Sequence, residues 1–195
     1  MTDAPRDLGR DLARIAIFAA LIIVLGTVTI PLPAGVPITA QTLGVMLAGT
    51  VLGPRKGPLA VLLVLVLAAI GLPVLAGGRG GLGVFVGPTA GYMLGWIFGV
   101  IVIGLIVRSG RLTWWRTAIG TVVGGILVVY LFGIPVQSLV LGVDLLPTAA
   151  STVVFLPGDL LKAAAATALT LALAKAYPPA FGGSIRLERT RARAA

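Results

Sequence analysis

The chain has 195 residues, 58% hydrophobic and 11% charged, with a mean hydropathy of +1.09, which excludes an ordinary soluble domain. Its net charge of +9 could suggest a nucleic-acid partner, but the basic residues lie between apolar runs, where positive charge is a signal of membrane topology. There is no cysteine, histidine or asparagine and the single glutamate is Glu188, so a disulfide framework, a metal centre and a Ser/His/Asp triad are all excluded. No glycine-rich stretch ends in Gly-Lys-Ser/Thr, so the chain carries no P-loop for ATP hydrolysis.

At about 20 residues per crossing, the length suffices for about six spans joined by short loops in one integral domain. Residues 1–14 alternate Arg6, Arg10 and Arg14 with Asp3, Asp7 and Asp11, predicting an amphipathic lead-in at the membrane surface. The first span covers 15–30; the three preceding acids and its length argue against a cleaved signal peptide. Residues 31–40 are uncharged and proline-rich, predicting a non-helical loop that folds over something. A short second span follows over 41–52, then a tight turn over 53–58 and a third span over 59–72. The glycine-rich loop 71–81 leads to a fourth span over 87–107. After a turn surrounded by Arg108, Arg111 and Arg116, the fifth span covers 117–133 and is expected to end at Gly133-Ile134-Pro135. Residues 136–155, with Asp144 as their single charge, read as a partly buried connection. The sixth span runs from Pro157, a good first-turn residue, to Tyr177, and residues 178–195 form a basic tail.

Six spans with the N-terminus inside put 13 Lys and Arg residues on the cytoplasmic side and leave Arg79 alone in the outer loops, with Lys162 embedded. That asymmetry is the positive-inside pattern, and five or seven spans would spoil it. Gly35-Val-Pro37, Gly71-Leu-Pro73 and Gly133-Ile-Pro135 would then all terminate helices at the outer face, where irregular backbone and polar groups gather as a binding site needs.

Asp159 and Lys162 lie three apart near the outer end of the sixth span, hence on one face of a helix. Each charge near the bilayer centre costs roughly 2.5–3.5 kcal/mol, less toward the interface. Either the two neutralise each other as an intrahelical pair, or they face a pocket and hold a ligand with both acidic and N–H character. Small residues recur every four positions at Gly87, Gly91, Gly95 and Gly99, at Ala164, Ala168, Ala172 and Ala176, and at Ala16 and Ala20. The default for the first two stripes is internal packing; a stripe facing outward could dock a partner's helices. Tyr92 reads as a pocket residue or as part of the aromatic belt, Arg79 as a ligand contact or a solvated loop cation, and Trp96, Trp114 and Trp115 as lipid or interface residues.

Four motifs in order resemble the BioY family, the biotin-specific S components of energy-coupling factor transporters: Gly-Val-Pro-Ile-Thr-Ala-Gln-Thr-Leu-Gly-Val (35–45), Gly-Leu-Pro-Val-Leu-Ala-Gly-Gly-Arg-Gly-Gly (71–81), Gly-Pro-Thr-Ala-Gly-Tyr (87–92) and Pro-Gly-Asp-Leu-Leu-Lys (157–162). The resemblance covers about residues 12–177. It implies an all-α, six-helix bundle in a prokaryotic cell membrane, with both termini cytoplasmic and no enzymatic activity or cofactor of its own. Biotin would sit in an outward-facing cavity under the first outer loop. A membrane T component and two ATP-binding-cassette ATPases would complete uptake, and the loaded bundle would topple in the bilayer to release its substrate; some family members occur without those partners. Asp159 and Lys162 match the family's ligand-binding Gly-Asp-x-x-Lys, and Thr39 and Gln41 match its first-loop motif. Some relatives use an asparagine for the ligand; this chain has none, and Arg79 is its local substitute. Ala16 and Ala20 match the Ala-x-x-x-Ala by which S components dock the T component. The rivals are an S component for riboflavin or thiamine, the cationic thiamine fitting poorly beside Lys162, a membrane enzyme and a purely structural bundle.

Overall fold

A computed structural model of the chain describes residues 8–30, 36 and 38–181, in an almost wholly helical bundle. The arginines at 6, 186, 189, 191 and 193 and most of the loop 31–37 lie outside the described residues. Helix α1 is Leu8–Thr27, α2 is Gln41–Leu47 continued by a π-helical segment Ala48–Leu52, and α3 is Gly53–Ala69. Helix α4 is Ala90–Arg108 and α5 is Trp114–Leu141, with a π-helical stretch at Val123–Val128. Helix α6 is Leu145–Thr152, and a 3-10 turn joins it to α7, Leu156–Ala176.

Among the described residues, four helical runs are long and apolar enough to cross a membrane: Gln41–Ala69, Ala90–Arg108, Trp114–Leu141 and Leu145–Ala176. The first of them folds back on itself. As a straight rod its 29 residues would hold its ends about 42 Å apart. Gly53, at φ +79° and ψ −172°, leaves helical geometry, and a Cβ placed on Gly57 would lie 3.0 Å from the Ala48 carbonyl. Gln41, at the start of the run, bonds Val74 O, just past its end, at 3.2 Å. Helices α2 and α3 are therefore antiparallel arms. Glycine's tolerance of positive φ makes the turn possible, and Pro54 starts the second arm where its missing N–H is harmless.

The lead-in differs from expectation, because 8–14 is already the first part of α1. Nothing in its sequence breaks the helix, and Asp11 there pairs with Lys56 of α3 and, at 3.8 Å, with Arg14. At the same end of the bundle Arg14 donates to Pro179 O beyond α7 at 2.7 Å. The expected stop at Gly133-Ile134-Pro135 is also corrected: α5 runs through it to Leu141 and ends at Gly142, φ +65°. Pro135 removes only its own bond to Leu131 O, a loss that helices packed against neighbours tolerate. One turn on, Tyr92 of α4 donates to Gln137 Oε1 at 2.6 Å and ties the extra length down. The connection expected over 136–155 is thus the end of α5, then α6 and the 3-10 turn. Of the three Gly-x-Pro sites, Gly71 follows α3 at φ +101° as expected, while the first falls largely outside the described residues.

Helix α4 is central, packed between α3 and α5. Gly87 precedes α4 and is only half-buried, but Gly91, Gly95 and Gly99 are buried against α5, Gly99 meeting the Gly124 carbonyl, so the helical part of that stripe packs internally. The α7 stripe does not: Ala164, Ala168, Ala172 and Ala176 are exposed, and Ala163, Ala166, Thr167, Thr170 and Ala174 face the bundle instead. Both faces of α7 are alanine-rich, so spacing could not choose between them. Ala16 and Ala20 of α1 also face outward.

Candidate functional site

Helices α2, α4 and α7 begin, and α3 ends, at one end of the bundle. There α2, α4 and α7, with Val129 of α5 and the segments before α2 and after α3, line a cavity with about 620 Å³ of atom-free space, its open mouth included. All six side chains singled out as ligand contacts line it: Thr39, Gln41, Arg79, Tyr92, Asp159 and Lys162. Thr29–Ile30 pairs antiparallel with Ile38–Thr39, and Val36 and Ile38 stand in the cavity wall.

Asp159 and Lys162 are paired with each other and both line the cavity. Lys162 Nζ donates to Asp159 Oδ1 at 2.8 Å, and both side chains are largely buried. An ion pair in such a place offsets its desolvation only with further hydrogen bonds. One is supplied by Tyr130 of α5, whose hydroxyl donates to Asp159 Oδ2 at 2.7 Å. The Tyr130 ring meets Tyr92 edge-on, centroids 6.3 Å apart. Tyr92, 8% exposed, is therefore a pocket residue and not part of an interfacial belt.

Arg79 lies in the wall with its Nε donating to Ala76 O at 3.0 Å, closing the Leu75–Arg79 turn. Gln41, 1% exposed, bonds Val74 O through Nε2, while its backbone N–H donates to Thr39 Oγ1 at 3.2 Å. These bonds fix the glycine-rich loop against the start of α2. Two cations and one acid among the lining side chains leave the cavity net positive, which favours an anionic ligand.

Trp96 departs from its sequence reading. It is 7% exposed and lines the cavity, one turn below Tyr92 on the inward face of α4, whereas Trp114 at 68% and Trp115 at 45% are exposed. With Met93, Val129 and Phe155 it gives the cavity an apolar wall. Trp96 Nε1 and Thr42 Oγ1 are buried without a hydrogen-bond partner among the described residues. Such a group costs about 1–3 kcal/mol until something supplies its bond. Tyr130 and Gln137 also escaped the sequence reading. Both are polar side chains inside apolar helix, and the need of a buried hydroxyl or amide for a partner was the signal that could have found them.

The family comparison covers nearly the whole chain: the sequence profile of the BioY family matches residues 2–179. The biotin transporter BioY of Rhodobacter capsulatus is 50% identical over 183 residues, covering 88% of this chain and 96% of that protein. The biotin transporter BioY of Rhizobium etli is 46% identical over 179 residues, covering 87% and 95%. Among solved structures, the S-component for biotin from an ECF-type ABC transporter superposes with a TM-score of 0.82 at 34% identity, covering 89% of this chain and 95% of that one. With this fold, these motifs around one cavity and these relatives, the chain belongs to the BioY family of transport components.

Proposed function

We propose that this protein captures biotin in the cavity between α2, α4 and α7 and serves as the substrate-binding S component of a vitamin uptake transporter. The observation that carries this reading is the Asp159–Lys162 pair, opening into a net-positive, partly apolar cavity that Val36, Ile38 and Thr39 also line. Biotin offers two ureido N–H donors, a ureido carbonyl, an apolar fused ring and a carboxylate. The Asp159 carboxylate accepts from the ureido N–H groups, and Lys162, with Arg79 at the rim, receives the ligand's carboxylate. Thr39 and Gln41 add neutral hydrogen bonds, Tyr92 and Trp96 flank the ring, and residues 31–40 close over the bound vitamin.

In this reading the chain crosses a prokaryotic cell membrane six times, through α1, α2, α3, α4, α5 and α7, with both termini cytoplasmic. The antiparallel arms of Gln41–Ala69 and the grouping of Asp11, Arg14 and Lys56 at the end opposite the cavity support that arrangement. Helix α1 docks a T component through the outward face of Ala16 and Ala20, and two ABC ATPases supply the energy. Titration of the purified protein with biotin, riboflavin and thiamine tests the assignment. Biotin alone should bind, and preferential binding of either other vitamin would overturn it.

A further inference from the structure

We infer that Tyr130 is a positioning residue that holds the Asp159 carboxylate in its ligand-accepting orientation, an inference that rests on the proposed biotin site. The two carboxylate oxygens of Asp159 are divided between two donors on different helices. Oδ1 takes Lys162 from the same turn of α7, and Oδ2 takes the Tyr130 hydroxyl from α5 across the interior. Lys162 is a flexible partner, a point charge on a four-carbon stem. The tyrosine is the rigid one, because its ring has two torsions and sits against a second ring that is itself anchored. Tyr92 meets Tyr130 at an interplanar angle of 83° and spends its own hydroxyl on Gln137. A Cβ on Gly133 would run into the Tyr92 ring, so the bare backbone of α5 is what admits it.

A chain of contacts thus runs from Gln137 through Tyr92 and Tyr130 to Asp159, joining α4, α5 and α7. Its consequence is directional. When an anionic ligand draws Lys162 away, the carboxylate keeps one fixed donor on Oδ2 and presents Oδ1 to incoming N–H groups. Without the hydroxyl, the carboxylate would lose its fixed orientation and its remaining neutral hydrogen bond together.

Tyr130→Phe removes only the hydroxyl and retains the ring contact with Tyr92. In the purified full-length protein it should weaken biotin binding about tenfold, as expected for a lost bond to a charged group. Desthiobiotin, which keeps the ureido group, should lose affinity by the same factor. A second readout needs no ligand: with isotope-labelled aspartate, the infrared carboxylate band that disappears in Asp159→Asn should shift in Tyr130→Phe. An unshifted band overturns the positioning role whatever the binding data show. Unchanged biotin affinity in Tyr130→Phe overturns its bearing on the ligand. A wild-type protein that ignores biotin, with the band shift intact, would instead count against the proposed function.

Discussion

The two ends of helix α7 face different interiors. Near its start, Asp159 and Lys162 look into the cavity; two to three turns later, Thr167 and Thr170 look into a closed core. There Thr170 pairs with Thr50 of α2 at 2.7 Å, Thr167 donates to Ala163 O at 2.8 Å, and Thr121 of α5 lies 3.4 Å from Thr167. Hydrogen-bonded polar groups occur in both halves, so a hydrogen bond alone does not make a site. Side-chain bulk and backbone approach make the difference. In the deep half α7 lies directly on α2 and the first part of α5, and small residues let backbones meet, as Gly99 does with Gly124. In the other half Tyr92, Trp96 and Phe155 hold the walls apart, and two polar atoms are left without partners among the described residues. Close packing with modest hydrogen bonds stabilises a bundle in lipid. A gap lined by charges and orphan donors leaves polar groups open to a further partner instead.

That contrast can be broken most sharply at its charged end. Asp159→Asn, which is nearly isosteric, should weaken biotin binding at least about 100-fold while the bundle stays folded, since one half of a buried charge pair is neutralised. Lys162→Ala should do the same from the other side. Binding at the wild-type level by either variant would defeat the site assignment. The outer surface supplies the complementary control. Ala16→Leu on the exposed face of α1 should leave biotin affinity within about twofold yet abolish uptake in cells that depend on the full complex, because a bulky side chain blocks close helix contact. Undiminished uptake would remove α1 from the docking surface.

A smaller effect is expected where the two halves join. Gly133→Ala forces a methyl group into the Tyr92 ring, which should cost about 1–3 kcal/mol of overpacking strain and weaken biotin binding roughly tenfold. A thermal melt together with a binding isotherm would show whether both fall. Smallest is Thr50→Val in the deep half. Losing the bond to Thr170 should cost about 0.5–1 kcal/mol in thermal stability with no change in biotin affinity. If affinity fell as well, the two halves would be coupled and the contrast drawn above would not hold.

Where the sequence reading succeeded and failed follows from the range of the forces involved. Helix existence was legible throughout the apolar runs, and the Pro157 start was a local signal that the structure repeats; of the turn expected over 53–58 only Gly53 leaves helical geometry, and 54–58 already belong to α3, because a proline fits the first turn of a helix. The end of α5 was not legible. Gly133 and Pro135 are breakers by propensity, but Tyr92 packs on the first and its hydroxyl holds Gln137 just beyond the second. Trp96 was misplaced for a related reason: a tryptophan in a membrane helix carries no mark of which neighbour it will meet. The α7 alanine stripe was assigned to the wrong side because one helix offers two faces of equal smallness.

The sequence by itself determined that this chain is a helical membrane protein. It also determined that an acid and a lysine one helical turn apart must be accounted for, and that four motifs must meet somewhere. Composition, periodicity and spacing are properties of the chain, so they survive without a fold. Only the tertiary structure decided that residues as distant as Thr39, Arg79, Tyr92 and Asp159 share one cavity, that Tyr130 reaches across to the aspartate, and that Trp96 lines the wall. Those facts depend on how far apart helices are held, and side chains on neighbouring helices set that spacing together.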